Sequence, residues 1–232
     1  MLLELKSVEF AWKGQPPFLQ IPEFQIAEGE QLFLKGPSGS GKSTLLGLIA
    51  GVLSAQSGEI IFDGGDFQKM SNGRRDQIRA RDMGVIFQLF NLLPYLDLVS
   101  NVALPCRLSV ERRDRVLETA SSPEDEALRL LEQLGLAEEA ANKKPVSDLS
   151  VGQQQRVAAA RALIGRPKLV IADEPTSALD EAARDGFLDL LQSECDRTGS
   201  ALLFVSHDRE LSDRFKRVVS LADLNTLTRE PA

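Results

Sequence analysis

EQLFLKGPSGSGKSTLLGLIA, residues 30–50, is the stretch from which the rest of this chain can be read. Residues 30–35 carry large apolar side chains and read as a strand. Gly36-Pro37-Ser38-Gly39-Ser40-Gly41-Lys42-Ser43 then fits G-x-x-x-x-G-K-[ST] in full, and Thr44 leads into an apolar helical pattern over residues 45–50. Strand, glycine-rich loop and helix together make a phosphate cradle. The glycines let the backbone wrap a phosphate closely with its N–H groups inward, and the helix adds the positive end of its dipole. Lys42 is expected to reach the β- and γ-phosphates of a nucleotide, and Ser43 to offer its hydroxyl to Mg²⁺. A glycine-rich turn that binds nothing is the alternative, and the flanking strand and helix argue against it.

Working outward, residues 2–10 and 18–26 read as two further strands, with Gly29 as the turn into the third. Residues 58–63 and 85–87 read as strands after the loop. The middle of the chain, about 89–149, shows helical patterns only. Ser122-Pro123-Glu124-Asp125 is a helix start: a serine cap, proline at the first helical position, and acids against the dipole. Leu128, Leu131 and Leu134 follow at helical spacing until Gly135. Strands then return at 169–172 and 201–205, continuous apolar runs of the kind that fill parallel sheets. The expectation is an α/β core over 1–88 and 150–232, which includes a β-subdomain, with a helical subdomain inserted at about 89–149.

Bulk properties narrow the function. A net charge of −7 over 232 residues argues against a dedicated nucleic-acid binder. Cys106 and Cys195 match no metal-ligand spacing, and a reducing, cytoplasmic setting fits them. The opening MLLELKSVEFAWKG lacks the basic segment and apolar core of a signal peptide. No stretch approaches the ~20 apolar residues that span a bilayer. Any work at a membrane is therefore expected from the water side.

LVIADE, residues 169–174, is an apolar strand ending in two acids. Buried strands rarely finish in adjacent carboxylates unless something cationic or reactive waits there. Asp173 is placed to hold Mg²⁺, and Glu174 to orient or deprotonate an attacking water. A pair of solvated acids opening a loop is the plainer reading, weakened by the phosphate loop upstream.

Leu149-Ser150-Val151-Gly152-Gln153-Gln154-Gln155-Arg156, followed by VAAARAL, separates this chain from other phosphate-loop proteins. Here the sequence resembles the ABC ATPase family, whose signature reads LSGGQ. The resemblance covers nearly the whole chain with all motifs in family order. It implies an ABC-type phosphate-loop core with an N-terminal antiparallel β-subdomain and an inserted helical subdomain. It also implies ATP and Mg²⁺ as ligands. Trp12 corresponds to the aromatic that stacks on adenine, and Gln88 to a glutamine contacting Mg²⁺ and water. Ser177-Ala178-Leu179-Asp180 matches the D-loop, and His207 the switch histidine. Each has a plainer reading: Trp12 an ordinary half-buried aromatic, Gln88 a strand cap, Asp180 a helix cap, and His207 a structural histidine. By the same resemblance, Ser150, Gly152 and Gln153 lie too far from their own nucleotide and cap the γ-phosphate of a second copy. A head-to-tail homodimer with two sandwiched ATP molecules follows.

Two departures stand out. Val151 replaces the first glycine of the signature pair, and LADL at 221–224 lacks the glycine turn common in relatives, which leaves the last strand open. The stretch FQLFNLLPYLDLVSNVALP looks like the lipoprotein-releasing and macrolide-exporter group of the family. That likeness implies a separate membrane permease with a large extracytoplasmic domain, and a peripheral position on the inner face of the cell membrane. Phe90, Leu92, Leu93, Pro94 and Leu96 would then lie where the permease docks, or else form helical core. A cell-division ATPase coupled to a permease-like protein without transport is the alternative.

Overall fold

Alternating apolar residues at the start of the chain produce a hairpin: β1 (Leu3–Ala11) pairs antiparallel with β2 (Pro17–Ile26). The structure, a computed structural model, describes residues 1–177 and 179–227, without the side chains of Ala182 and Arg209. Leu3 and Leu5, then Val8 and Phe10, are the buried residues of β1. The alternation slips by one because Ser7 takes a left-handed φ of +50° and the pairing with the strand at Ser57–Phe62 shifts between Lys6 and Glu9. β4 (Ser57–Phe62) pairs with the other edge of β1, and β5 (Gly65–Asp66) completes an antiparallel sheet in the order β2-β1-β4-β5.

The second sheet is parallel throughout. Its order is β6-β7-β8-β3-β9, formed by β3 (Gln31–Lys35), β6 (Met83–Ile86), β7 (Leu169–Asp173), β8 (Ala201–Ser206) and β9 (Arg217–Ser220). The inner strands are apolar at every position because both faces are covered, and successive residues divide between two cores. Phe33, Val170, Leu202 and Phe204 join one cluster, with Val157, Leu188 and Leu131. Leu32, Leu34, Ile171, Leu203 and Val205 join the other, with Leu45, Leu48 and the buried face of the antiparallel sheet.

The helices are α1 (Lys42–Ile49), α2 (Asn72–Asp82), α3 (Leu98–Leu108), α4 (Val110–Leu117), α5 (Pro123–Gln133), α6 (Ala137–Ala141), α7 (Val151–Leu163), α8 (Glu181–Thr198), α9 (Arg209–Ser212) and α10 (Leu221–Leu224). As expected, α5 opens on Ser122, whose Oγ accepts from Asp125 N at 3.1 Å, and Gly135 follows it at a φ of +69°. Between β6 and β7 the described residues contain helices, one short 3₁₀ turn and one isolated bridge. The strand expected at 85–87 lies instead at Met83–Ile86. α7 crosses β6 at backbone contact: a Cβ on Gly84 would lie 2.1 Å from Ala162 O.

Candidate nucleotide-binding site

β3 delivers the glycine-rich loop and α1 receives it. Gly41 caps α1 at a φ of +107°, where a Cβ would meet Phe18 Cε1 at 3.0 Å and Leu19 Cδ2 at 3.1 Å. Both the left-handed backbone and the packing against β2 demand glycine. Lys42 folds back over the loop, its Nζ donating to Gly36 O at 2.7 Å and Pro37 O at 3.1 Å. Ser40 N closes the turn onto Pro37 O at 3.2 Å.

The end of β7 brings the two acids to this loop. Ser43 Oγ donates to Asp173 Oδ2 at 3.5 Å, and Glu174 Oε1 lies 3.4 Å from Lys42 Nζ. Glu174 itself is left-handed at a φ of +49°, and its N–H donates to Val205 O at 2.9 Å. A non-glycine residue in that region is strained, and such strain concentrates at functional sites. His207, just past β8, places Nδ1 2.9 Å from Glu174 Oε2. Burial pushes the Asp173 carboxyl above the usual carboxylate range, and the Glu174 charge adds to the rise, while Lys42 and the Ser43 hydroxyl oppose it.

A cleft of about 530 Å³ gathers these groups. It is lined by Phe18, Pro37, Ser38, Gly39, Gly41, Lys42, Ser43, Thr44, Gln88, Asp173, Glu174, Ser177 and His207. Phe18 was not anticipated; its signal was the tight fit of β2 against the loop glycine, which only the tertiary pairing reveals. Ser177 sat inside a matched string without a role of its own. Ala178 of that string lies outside the described residues.

Trp12 does not line the cleft. It is exposed and stacks edge-on against Phe10, ring centroids 5.0 Å apart. Ser150, Gly152 and Gln153 also lie away from the cleft lining, at the start of α7. There Ser150 Oγ accepts from Gln153 N at 3.3 Å, while Gln153 Oε1 accepts from Ser150 N at 2.9 Å. This is a reciprocal cap. Gln153 Nε2 donates onward to Glu139 Oε1 at 2.5 Å. Asp180 caps α8, its Oδ1 accepting from Ala183 N at 2.9 Å.

The donor set suits a hard cation. Ser43 and Asp173 present oxygens side by side and Gln88 adds an amide. Among the described residues no group of three or more His, Cys, Asp or Glu could hold a metal. Proteins in general hold Mg²⁺ through one or two side-chain oxygens, with phosphate oxygens and water completing its shell.

Taken with the parallel sheet, the loop, the carboxylate pair and the histidine beyond the next strand define a phosphate-loop nucleotide-binding protein. The chain belongs to the ABC transporter family, whose sequence model matches residues 19–177, and it is an ATP-binding ATPase of that family. It is 39% identical over 224 residues to the lipoprotein-releasing system ATP-binding protein LolD of Shewanella oneidensis, covering 95% of this chain and 94% of the relative. The LolD protein of Shewanella sp. strain MR-7 is 38% identical, with 95% and 93% covered. Among solved structures, the dimeric bacterial ABC transporter cassette MJ0796 superposes with a TM-score of 0.80 at 32% identity, covering 94% of each chain. Its dimeric post-hydrolysis state bound to ADP and Pi superposes with a TM-score of 0.79 at 32% identity, again over 94% of each chain.

Proposed function

We propose that the protein is the ATP-driven motor of a transporter of the lipoprotein-releasing group, closing as a head-to-tail homodimer beneath a separate permease that carries an extracytoplasmic domain. The observation that carries this reading is the division of the site: Lys42, Asp173, Glu174 and His207 share one cleft, whereas Ser150 caps α7 outside its lining. A second copy is needed to bring Ser150 and the α7 N-terminus to the γ-phosphate. The dimeric cassettes with which the chain superposes support that arrangement.

Within the cleft, the loop from Gly36 to Thr44 cradles the phosphates and Lys42 faces the β- and γ-oxygens. Glu174 accepts the proton of the attacking water while His207 holds the carboxylate in place and Gln88 orients the water. Ser43, Asp173 and Gln88 would hold Mg²⁺, which would supply positive charge against the negative charge of the transferring phosphoryl group. Trp12 or Phe18 stacks on the base; Phe18 is the one that lines the cleft. Asp180 faces the partner copy while capping α8. No nucleic acid enters this scheme.

The span of about 89–149 is assigned as the helical subdomain, supported by α3–α6, and 1–88 with 150–232 as the catalytic core. An apolar groove of about 270 Å³, lined by Met83, Phe87, Leu104, Pro105 and Leu108, lies where these two parts meet. Exposed Phe87 and Leu108 in its lining make it the better permease-docking surface. Of the residues read from sequence as docking surface or helical core, Phe90 and Leu92 pack against the core. No helix among the described residues is long and apolar enough to cross a membrane; a peripheral position on the inner face belongs to this reading.

The test is purification of Glu174→Gln protein with ATP from detergent-solubilised host membranes. Recovery of a permease with an extracytoplasmic domain supports the proposal. Recovery of cytosolic partners alone, or of a permease-like protein that moves no substrate, sinks it in favour of a non-transport role.

A further inference from the structure

Arg161 lies in the last turn of α7, the helix that Ser150 begins. Its Nη1 donates to Asn91 O at 2.7 Å and its Nη2 to Phe90 O at 2.5 Å. Both acceptors are backbone carbonyls, so the planar fork grips two successive peptide groups and not a carboxylate. Burial holds the guanidinium below the usual arginine range. A cation is kept half-buried here only because its hydrogen bonds are charge-assisted.

The gripped turn is unusual. Phe90 and Asn91 are consecutive non-glycine residues with φ of +58° and +49°. That conformation is unfavourable for L-residues, more so for Phe than for Asn. Phe90 N donates to Phe87 O at 2.9 Å and Asn91 N to Leu89 O at 2.6 Å, so the turn closes tightly around Gln88 and Leu89. Gln88 lines the nucleotide cleft. Besides the turn's own backbone bonds and the packing of Phe90 against the core, the two bonds from Arg161 tie it to α7.

We propose that Arg161 is a positioning residue, which sets the reach of Gln88 into the cleft by clamping the Phe90 and Asn91 carbonyls to the helix begun by Ser150. This rests on the reading of Gln88 and Ser150 given above. One end of α7 faces the nucleotide of the partner copy, and the other fixes the loop serving the nucleotide of its own chain. A displacement of α7 on dimer closure therefore moves Gln88 directly, through two hydrogen bonds.

The experiment is a double-mutant cycle on steady-state ATP turnover by the full chain, with Gln88→Ala, Arg161→Met, Arg161→Lys and the Gln88→Ala/Arg161→Met pair. Arg161→Met is expected to lower kcat about 10- to 100-fold, the scale of a misplaced positioning group, with KM for ATP nearly unchanged. Arg161→Lys, a single-point donor, recovers only part. With Ala at position 88, Arg161→Met has no further effect. Multiplying, independent effects overturn the proposal, as does full turnover by either Gln88→Ala or Arg161→Met. Lys42→Ala is the control that separates the two readings. If it retains turnover, the cleft assignment fails; if it loses turnover while the cycle is additive, only the role of Arg161 fails. Should Arg161→Met not fold, hydrogen exchange of Arg161→Lys decides: faster exchange confined to residues 88–93 is expected, and unchanged exchange there overturns the proposal.

Discussion

His207 Nδ1 lies 2.9 Å from Glu174 Oε2, and the other oxygen of the same carboxylate lies 3.4 Å from Lys42 Nζ. The glutamate is thus held from both sides, and its left-handed backbone fixes where the side chain leaves β7. Such restraint is what a base needs if its lone pair is to meet a water at one position. Glu174→Gln keeps the shape and removes the basicity, so kcat is expected to fall by about 10²–10⁴. ATP binding persists and the ATP-bound dimer accumulates, as size-exclusion chromatography would report. Normal turnover by this variant would show that another group is the base.

Asp173 should make the nucleotide-free protein pH-sensitive. Its folded-state pKa is raised by burial and by Glu174, above the ordinary 3.8. Between the unfolded and folded values the native chain binds the extra proton, so this contribution to stability is present at low pH and lost as pH rises through the folded value. At neutral pH the ionised group is a burden that asparagine removes. Asp173→Asn is expected to melt higher than the parent near pH 7, by calorimetry without nucleotide, and to lose Mg²⁺-dependent turnover. A lower melting temperature would mean the carboxylate is stabilising after all.

Val151 permits a test in which two effects have opposite sign. It is exposed at the first position of α7, and its φ is not left-handed, so a side chain there is unstrained. An acid at a helix N-terminus stabilises the helix by about 0.3–1 kcal/mol. The same charge would face the phosphates of the partner's ATP, where like-charge contact costs several kcal/mol. Val151→Asp should therefore hold or raise the monomer's melting temperature while weakening ATP-dependent dimerisation at least about tenfold. Sedimentation with the Glu174→Gln background reads this, and an unweakened dimer would remove Val151 from the interface.

Gly84 has no room for even a single methyl. Its Cβ would lie 2.1 Å from Ala162 O and 2.8 Å from Ala162 C, backbone atoms that cannot rotate aside. Gly84→Ala should destabilise by about 3 kcal/mol or more, the upper end of overpacking costs, seen as a lower urea midpoint. A loss below about 1 kcal/mol would mean that α7 can slide on β6.

The strand, loop and helix at 30–50 were legible because every local signal agreed: an apolar run, a glycine string, then helical spacing. The same held for α5, whose cap and first-turn acids the structure retains. α2 was missed for the opposite reason. Its sequence NGRRDQIRARD is polar nearly all round, and Ile78 is its only buried apolar residue. What seats it is Arg79 donating to Ala50 O and Gly51 O, together with Arg75 beside Ser54, all long-range contacts. β9 was left open because its burial is partial and its identity depends on pairing with β3. At the site, the residues joined by the loop and strand ends were predictable from motif order. Phe18 was not, since only the docking of one sheet against the other carries it to the cleft.

Because neighbouring residues of β3, β7 and β8 serve opposite cores, the parallel sheet acts as a watertight wall between two compartments. The phosphate loop's helix is anchored in one, while α3, α5, α7 and α8 fill the other. Substitutions in the second compartment leave the packing of α1 behind the phosphate loop untouched and reach the cleft only through α7. Pairs of substitutions such as Leu203→Val and Leu131→Val, one in each compartment, should combine almost additively. The seating of the phosphate loop and the packing across the sheet can thus be altered one at a time.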